Sequence, residues 1–220
     1  MLRAVQHSTL QGLELRVDDL GAAALLVGQV LGLPPLAPEA AGELRFGLGA
    51  RWLALRQAPP EQADCLHWRC ATLAGQRLLL GQLGIDMAEE VAETLQVSGV
   101  DTGACAATWT EGPTAASADA APRLHALVLH ARAPERVAAH WAQMLHATPG
   151  RDARGLPQLR IDGVALSFTF SEDGAGGVRE IALAPGGPEA LQAICERADA
   201  AGVARNGDSL LLAGLSVRLV

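Results

Sequence analysis

Along the chain, short runs in which apolar and polar residues alternate are separated by stretches whose apolar residues recur at helical spacing. GLELRV (12–17) alternates as a strand. Helical spacing follows from Leu20 to Leu31, with Asp18 or Asp19 at the N-cap position and Gly32 at the stop. ELRFGL (43–48) and RWLALRQ (51–57) read as short strands. Asp86 and Glu89 form a capping box, which predicts a second helix from about Asp86 to Gly99 with Ala88, Val91, Ala92 and Leu95 on one face.

The second half repeats this order. LHALVLH (124–130) is a strand, and Pro134 suits the first turn of a helix carrying Val137, Ala138, Trp141, Met144 and Leu145 on one face. LPQLRID (156–162), VALSFTF (164–170) and VREIALA (178–184) are strands. Pro188 opens a helix with Leu191, Ile194 and Ala198 inward, stopping at Gly202, and DSLLLAG and LSVRLV close the chain as a hairpin. Residues 17–33 align without gaps on 131–147, which points to a tandem duplication. TEGPTAASADAAP (110–122) is small, polar and Pro-containing, and reads as a linker between domains at 1–109 and 123–220. The fold class expected is α+β.

Composition narrows the functions. Half of the 220 residues are apolar, enough for a sizeable core. The net charge of −7, without any Arg cluster or stripe, argues against a nucleic-acid partner. The chain has no Lys and no Tyr, so Schiff-base chemistry and a Tyr acid are excluded, and acid–base work falls to His, Asp, Glu or Cys. MLRAVQHSTLQ lacks the apolar region of a signal peptide, and the longest apolar stretch, broken by Gln29 and Pro34–Pro35, suits a buried helix better than a membrane span. The expectation is a cytoplasmic protein, off the membrane, with Cys65, Cys70, Cys105 and Cys195 as reduced thiols. No dinucleotide fingerprint, P-loop or nucleophile elbow is present.

LELRVDDLGAAALLVGQVLGL in the first half, and LHALVLHARAPERVAAHWAQML, GVREIALAPGGPEALQAICERADAAGV and GLSVRLV in the second, resemble the vicinal oxygen chelate superfamily. That superfamily includes glyoxalase I, extradiol dioxygenases and bleomycin-resistance proteins. The resemblance covers most of 12–100 and 123–220. It implies two glyoxalase-like domains of tandem βαβββ modules with curled mixed sheets. It also implies metal ligands, usually His and Glu, at inward positions of the first and last strands of each module. Carried onto this sequence, those positions fall at Ala126, Ser167, Glu180 and Arg218 in the second half. In the first half they fall at Gly12, Ala54 and about Leu80; the fourth has no place, because ACAATWTEG (104–112) looks too short for a closing hairpin. Of the four second-half residues, one can ligate a metal and one is a cation that repels it. The resemblance thus implies a degenerate site with no metal and no cofactor, in which Glu180 pairs with Arg218.

Strand alternation reaches the same face independently. Leu166, Phe168 and Phe170 share one side of VALSFTF, so the sheet's second face carries His130, Ser167, Thr169, Glu180, Ser216 and Arg218. By parity His125 joins Leu127 and Leu129 on the face that packs on helices. His130, Ser167, Glu180 and Arg218 form a candidate ligand site, with Arg218 meeting an anionic group and His130 hydrogen-bonding. The competing reading is a solvated face or a structural salt bridge. The first half offers Glu14, Arg16, Trp52 and Arg56 on the matching face, where the Trp either stacks on a planar ligand or is core. Cys65, His67 and Cys70 have the composition of a zinc site without its usual spacing, and inert buried thiols are the alternative.

Three functions stay open. The first is a metal-free glyoxalase-like protein that binds a small organic molecule or is non-catalytic. The second is a metal-dependent lyase, isomerase or ring-cleaving dioxygenase, which would need His125 or His130 to converge with Glu180. The third is a structural or partner-binding protein whose halves pair as a pseudo-dimer. A homodimer of the whole chain is compatible with each.

Overall fold

The computed structural model describes residues 8–57, 64–88, 93–112, 122–172, 174, 176–212 and 215–220. In the first half, β1 (Thr9–Val17) leads into α1 (Leu20–Leu25), which continues as a π-helical turn over Leu26–Val30. Then come β2 (Pro35–Leu36), β3 (Glu43–Leu48), β4 (Arg51–Gln57), β5 (Cys65–Cys70), α2 (Leu73–Gln82), β6 (Thr94–Val97), α3 (Gly99–Thr102) and β7 (Ala106–Glu111). The second half holds β8 (Arg123–Ala131), α4 (Pro134–Leu145), β9 (Pro149–Arg151), β10 (Pro157–Ile161), β11 (Val164–Phe170) and β12 (Gly177–Ala184). It ends with α5 (Pro188–Ala200), β13 (Arg205–Asn206), β14 (Ser209–Leu212) and β15 (Leu215–Leu219).

The strands form two mixed sheets, ordered β2-β3-β4-β1-β5-β7-β6 and β13-β14-β15-β12-β8-β11-β10-β9. Both obey one rule. A unit's first strand runs parallel to its last, as in β1/β4, β5/β7, β8/β11 and β12/β15. The two first strands of each sheet pair antiparallel, β1 with β5 and β8 with β12. The expected α+β architecture of glyoxalase-like units is therefore present, with sheets that are not closed. Of the expected linker, Thr110 and Glu111 belong to β7, and 113–121 lie outside the described residues.

Local chemistry explains most helix ends. Asp19 caps α1, its Oδ1 accepting the Ala22 N–H at 2.9 Å. Pro134 and Pro188 open α4 and α5. His146, where such a helix usually has Gly, ends α4 in the left-handed conformation with φ 52°.

The first half departs from the sequence expectation in two places. The second helix is Leu73–Gln82, not a segment from Asp86; Thr72 caps it, accepting the Gly75 N–H at 3.2 Å. Ala88 instead bridges to Gln96 as part of the sheet edge, Leu95 lies in β6, and 89–92 fall outside the described residues. The physical reason is that CLHWRC, whose alternating residues suit a strand, is the first strand of a second unit, so its helix must follow at once. The closing segment is also long enough: β7 pairs with both β5 and β6. Leu80, expected at a ligand position, is buried in α2.

The halves pack on one contiguous core. Trp141 of α4 lies 6.2 Å from Trp68 of β5 and 6.0 Å from Phe168 of β11, ring centre to ring centre. Its indole N–H donates to the Thr102 carbonyl at 3.0 Å, and Gln76 Nε2 donates to the Met144 carbonyl at 3.1 Å. Asp64 joins the two sheets directly, accepting the Arg16 N–H at 2.9 Å and the Val178 N–H at 2.8 Å. Burial pushes its carboxyl above the usual range, against the two backbone N–H groups and the Arg16 charge that lower it.

Candidate functional site

The pairing register fixes which residues are equivalent in the two halves. Glu14 faces Ala54 and Cys65; Val128 faces Ser167 and Glu180. Cys65 therefore matches Glu180, and Thr108 of β7 matches Arg218 of β15. Both first strands carry a one-residue irregularity at the same place, at Gln11 in β1 and at His125 in β8. That bulge corrects the parity expected of His125: Leu124 enters the core and His125 is exposed.

On the second face of the C-terminal sheet, Glu180 and Arg218 meet as the alternation implied, Nε to Oε1 at 2.9 Å. The sequence did not expose the rest of the network. Arg154 Nη1 stands 3.7 Å from Glu180 Oε2, and its Nε contacts Asp152 Oδ2 at 3.2 Å. The Ser167 hydroxyl donates to Asp152 at 3.3 Å and accepts from Gln158 Nε2 at 3.1 Å. The Asp152 carboxyl sits below the usual carboxylate range: burial raises it, and the N–H groups of Leu156 and Arg154 with the Arg154 guanidinium outweigh that. On the same face, Ala126, Ala165 and Ala182 form a small buried cluster. Ser167, Glu180 and Arg218 are thus brought into one chain of contacts, while His130 lies farther along β8 against Thr169 and Gly177.

The first sheet's second face is also charged. Glu14 pairs with Arg16 at 2.5 Å and with Arg56 at 3.3 Å. Glu43 pairs with Arg45 at 3.0 Å and Arg56 at 3.2 Å, and Glu39 also reaches Arg45. Three carboxylates thereby offset three guanidiniums. The Arg45 guanidinium lies 3.9 Å over Trp52, whose ring is 4.7 Å from His67. His67 Nε2 is buried with no hydrogen-bond partner among the described residues. Burial, and then the Arg45 charge, push its imidazole down to about 4.

Cys65 and Cys70 lie five residues apart on one strand and so point to opposite faces, which removes the zinc arrangement. Cys65 Sγ sits 3.4 Å from Thr108 Oγ1, while Cys70 packs in the core. Burial pushes both thiols up to about 11. They match the inert buried reading.

No protein-family model matches the sequence, and no curated protein does. Solved structures do. The Mn(II)-bound glyoxalase from Novosphingobium aromaticivorans superposes with a TM-score of 0.75 at 14% identity, over 98% of this chain and 82% of that one. The fold is that of solved glyoxalase and extradiol dioxygenase structures. A catechol 2,3-dioxygenase matches this fold with a TM-score of 0.71 at 11% identity, over 98% of this chain and 88% of its own. Homoprotocatechuate 2,3-dioxygenase from Brevibacterium fuscum matches with 0.69 at 13%, over 100% and 82%.

A divalent metal is expected of many proteins with this fold, so its fit can be tested on the side chains. The four second-half positions hold Ala126, Ser167, Glu180 and Arg218, and the four first-half positions hold Gly12, Ala54, Cys65 and Thr108. Glu180 is the one carboxylate among them, and a guanidinium lies against it. Among the described residues no three His, Cys, Asp or Glu side chains come together as a metal site. These donors do not fit the metal. No helix among the described residues is long and apolar enough to cross a membrane.

Proposed function

We propose that this protein uses the vicinal oxygen chelate fold without metal chemistry and binds a small organic anion on the second face of its C-terminal sheet. Arg218 meets the anionic group, and His130, Ser167 and Glu180 complete the site. The observation that carries this reading is the Glu180–Arg218 contact of 2.9 Å at the place where the fold positions metal ligands. It uses Arg218 Nε, and among the described residues neither Nη group has an ion-pair partner, which suits them to a ligand. Arg154 adds a second guanidinium beside Glu180. The reading includes two domains, 1–109 and 123–220; each sheet draws its strands from one half of the chain, with β7 carrying the first sheet on to Glu111. It also includes a cytoplasmic setting, which suits four free thiols.

Metal content by mass spectrometry, before and after loading with zinc, nickel, manganese and iron(II), tests the first part. The expected result is no stoichiometric ion and no thermal shift. An ion bound one to one and lost in Glu180→Ala overturns it. A calorimetric screen of small anionic aromatic compounds tests the second part, with binding lost in Arg218→Ala; absence of any binder overturns it. Arg218→Ala leaves the half-buried Glu180 carboxylate with only the longer Arg154 contact, so it should cost about 1 kcal/mol of stability, more than the double variant with Glu180→Ala.

A further inference from the structure

Two junctions join the halves, and the duplication makes them comparable. The first is the aromatic cluster of Trp141, Phe168 and Trp68. The register that matches Glu14 with Val128 also matches Leu55 with Phe168, and Trp68 with Leu183. The ungapped alignment of 17–33 on 131–147 matches Val27 with Trp141. So the second junction holds Val27, Leu55 and Leu183 where the first holds two indoles and a phenyl ring. All three of these aliphatic residues line one cavity of about 250 Å³ between the sheets.

The wall of this cavity is aliphatic, and most of it is buried: Val27, Leu53, Leu55, Ile181, Leu183 and Val217 are each no more than 6% exposed. Arg16, Val17, Asp64 and Val178 are half-buried, which places the opening between β1 and β12. Of the polar groups there, both Asp64 oxygens accept backbone N–H groups and Arg16 Nη2 pairs with Glu14, while the buried Arg16 Nε has no hydrogen-bond partner among the described residues. Natural cores leave few voids larger than a water molecule. An apolar void of about 150 Å³ stays dry and takes up benzene. A cavity of this size and lining suits an uncharged hydrocarbon-like molecule of about ten heavy atoms, scaled from that case.

We infer that the hollow junction is a second binding site, separate from the charged face, for a compact uncharged apolar molecule such as a monocyclic or bicyclic aromatic. The ligand takes the place that the Trp141 indole fills in the other junction.

Benzene, cyclohexane and indole are the probes, titrated against the full chain by thermal melting and calorimetry. At a hundredfold excess over Kd, a specific binder raises Tm by about 5–10 °C. Val27→Trp rebuilds the missing aromatic, and Val27→Phe is the milder filling; both should abolish the shift while keeping the fold. No shift from any probe on the unaltered chain overturns the inference, as does a shift that survives in a folded filling variant. Should neither variant fold, methyl NMR of the unaltered chain decides. Perturbations confined to Val27, Leu55, Ile181 and Leu183 support the site, and perturbations elsewhere overturn it.

Discussion

Gly12 occupies a position at which the fold often has a metal ligand, yet its role is steric. A Cβ there would overlap the Trp52 ring, so the indole lies across β1 only because no side chain stands under it. Gly12→Ala should therefore cost about 1–3 kcal/mol by overpacking, read by chemical denaturation, and should disturb the Arg45–Trp52 stack. His67 beside that ring makes stability depend on pH. Its folded imidazole titrates at about 4, against an ordinary 6.5, so between those values the unfolded chain binds a proton that the folded chain refuses. Stability then falls as pH falls, by about 2–3 kcal/mol from pH 7 to pH 4.5, and His67→Phe should remove that part of the slope. The Glu180–Arg218 pair was legible because both residues sit on strands whose alternation can be read. Asp152 and Arg154 were not, because Arg154 lies in the β9–β10 turn and Asp152 at its start, where no periodicity says which way a side chain turns.

At the scale of elements, the second half could be read almost strand for strand because its helices carry proline starts and clear apolar stripes. The first half could not. α2 buries only Gln76 and Leu80 within its span and contains two glycines, so its amphipathic signal is weak. The capping box at Asp86 then looked stronger than the Thr72 cap, although tertiary pairing of β5 with β1 decides the matter. A helix with so little core contact depends on its ends. Thr72→Ala should lower stability by about 1 kcal/mol, with the loss of amide protection confined to Leu73–Gln82 in hydrogen exchange. Bulges were the other blind spot. One extra residue at His125 reverses the parity before it, and a bulge leaves no compositional mark when the displaced residue is polar and exposed.

Across the whole molecule, the halves are joined by core and not only by chain. Trp141 reaches from the second half to Trp68 of the first, and Asp64 ties β1 to β12. Residues 1–112 or 122–220 expressed alone would expose this shared apolar surface. Each should be molten or aggregate, with near-UV circular dichroism restored on mixing the two fragments; a fragment that melts cooperatively alone would refute the shared core. The two modules and their order were visible in the sequence as a repeat, but not the depth of their joint packing, since alternation reports which residues are buried and not against what.

That the junctions are unlike has a consequence for how such a protein can change. In an assembly of two identical chains, every substitution at the interface appears twice, so replacing an indole by an isopropyl group would hollow both seams together and remove both anchors. Joining the copies in one polypeptide breaks that constraint. Trp141 can hold one seam shut while the seam around Val27 drifts toward another size and shape, and the cost to overall stability is borne once rather than twice.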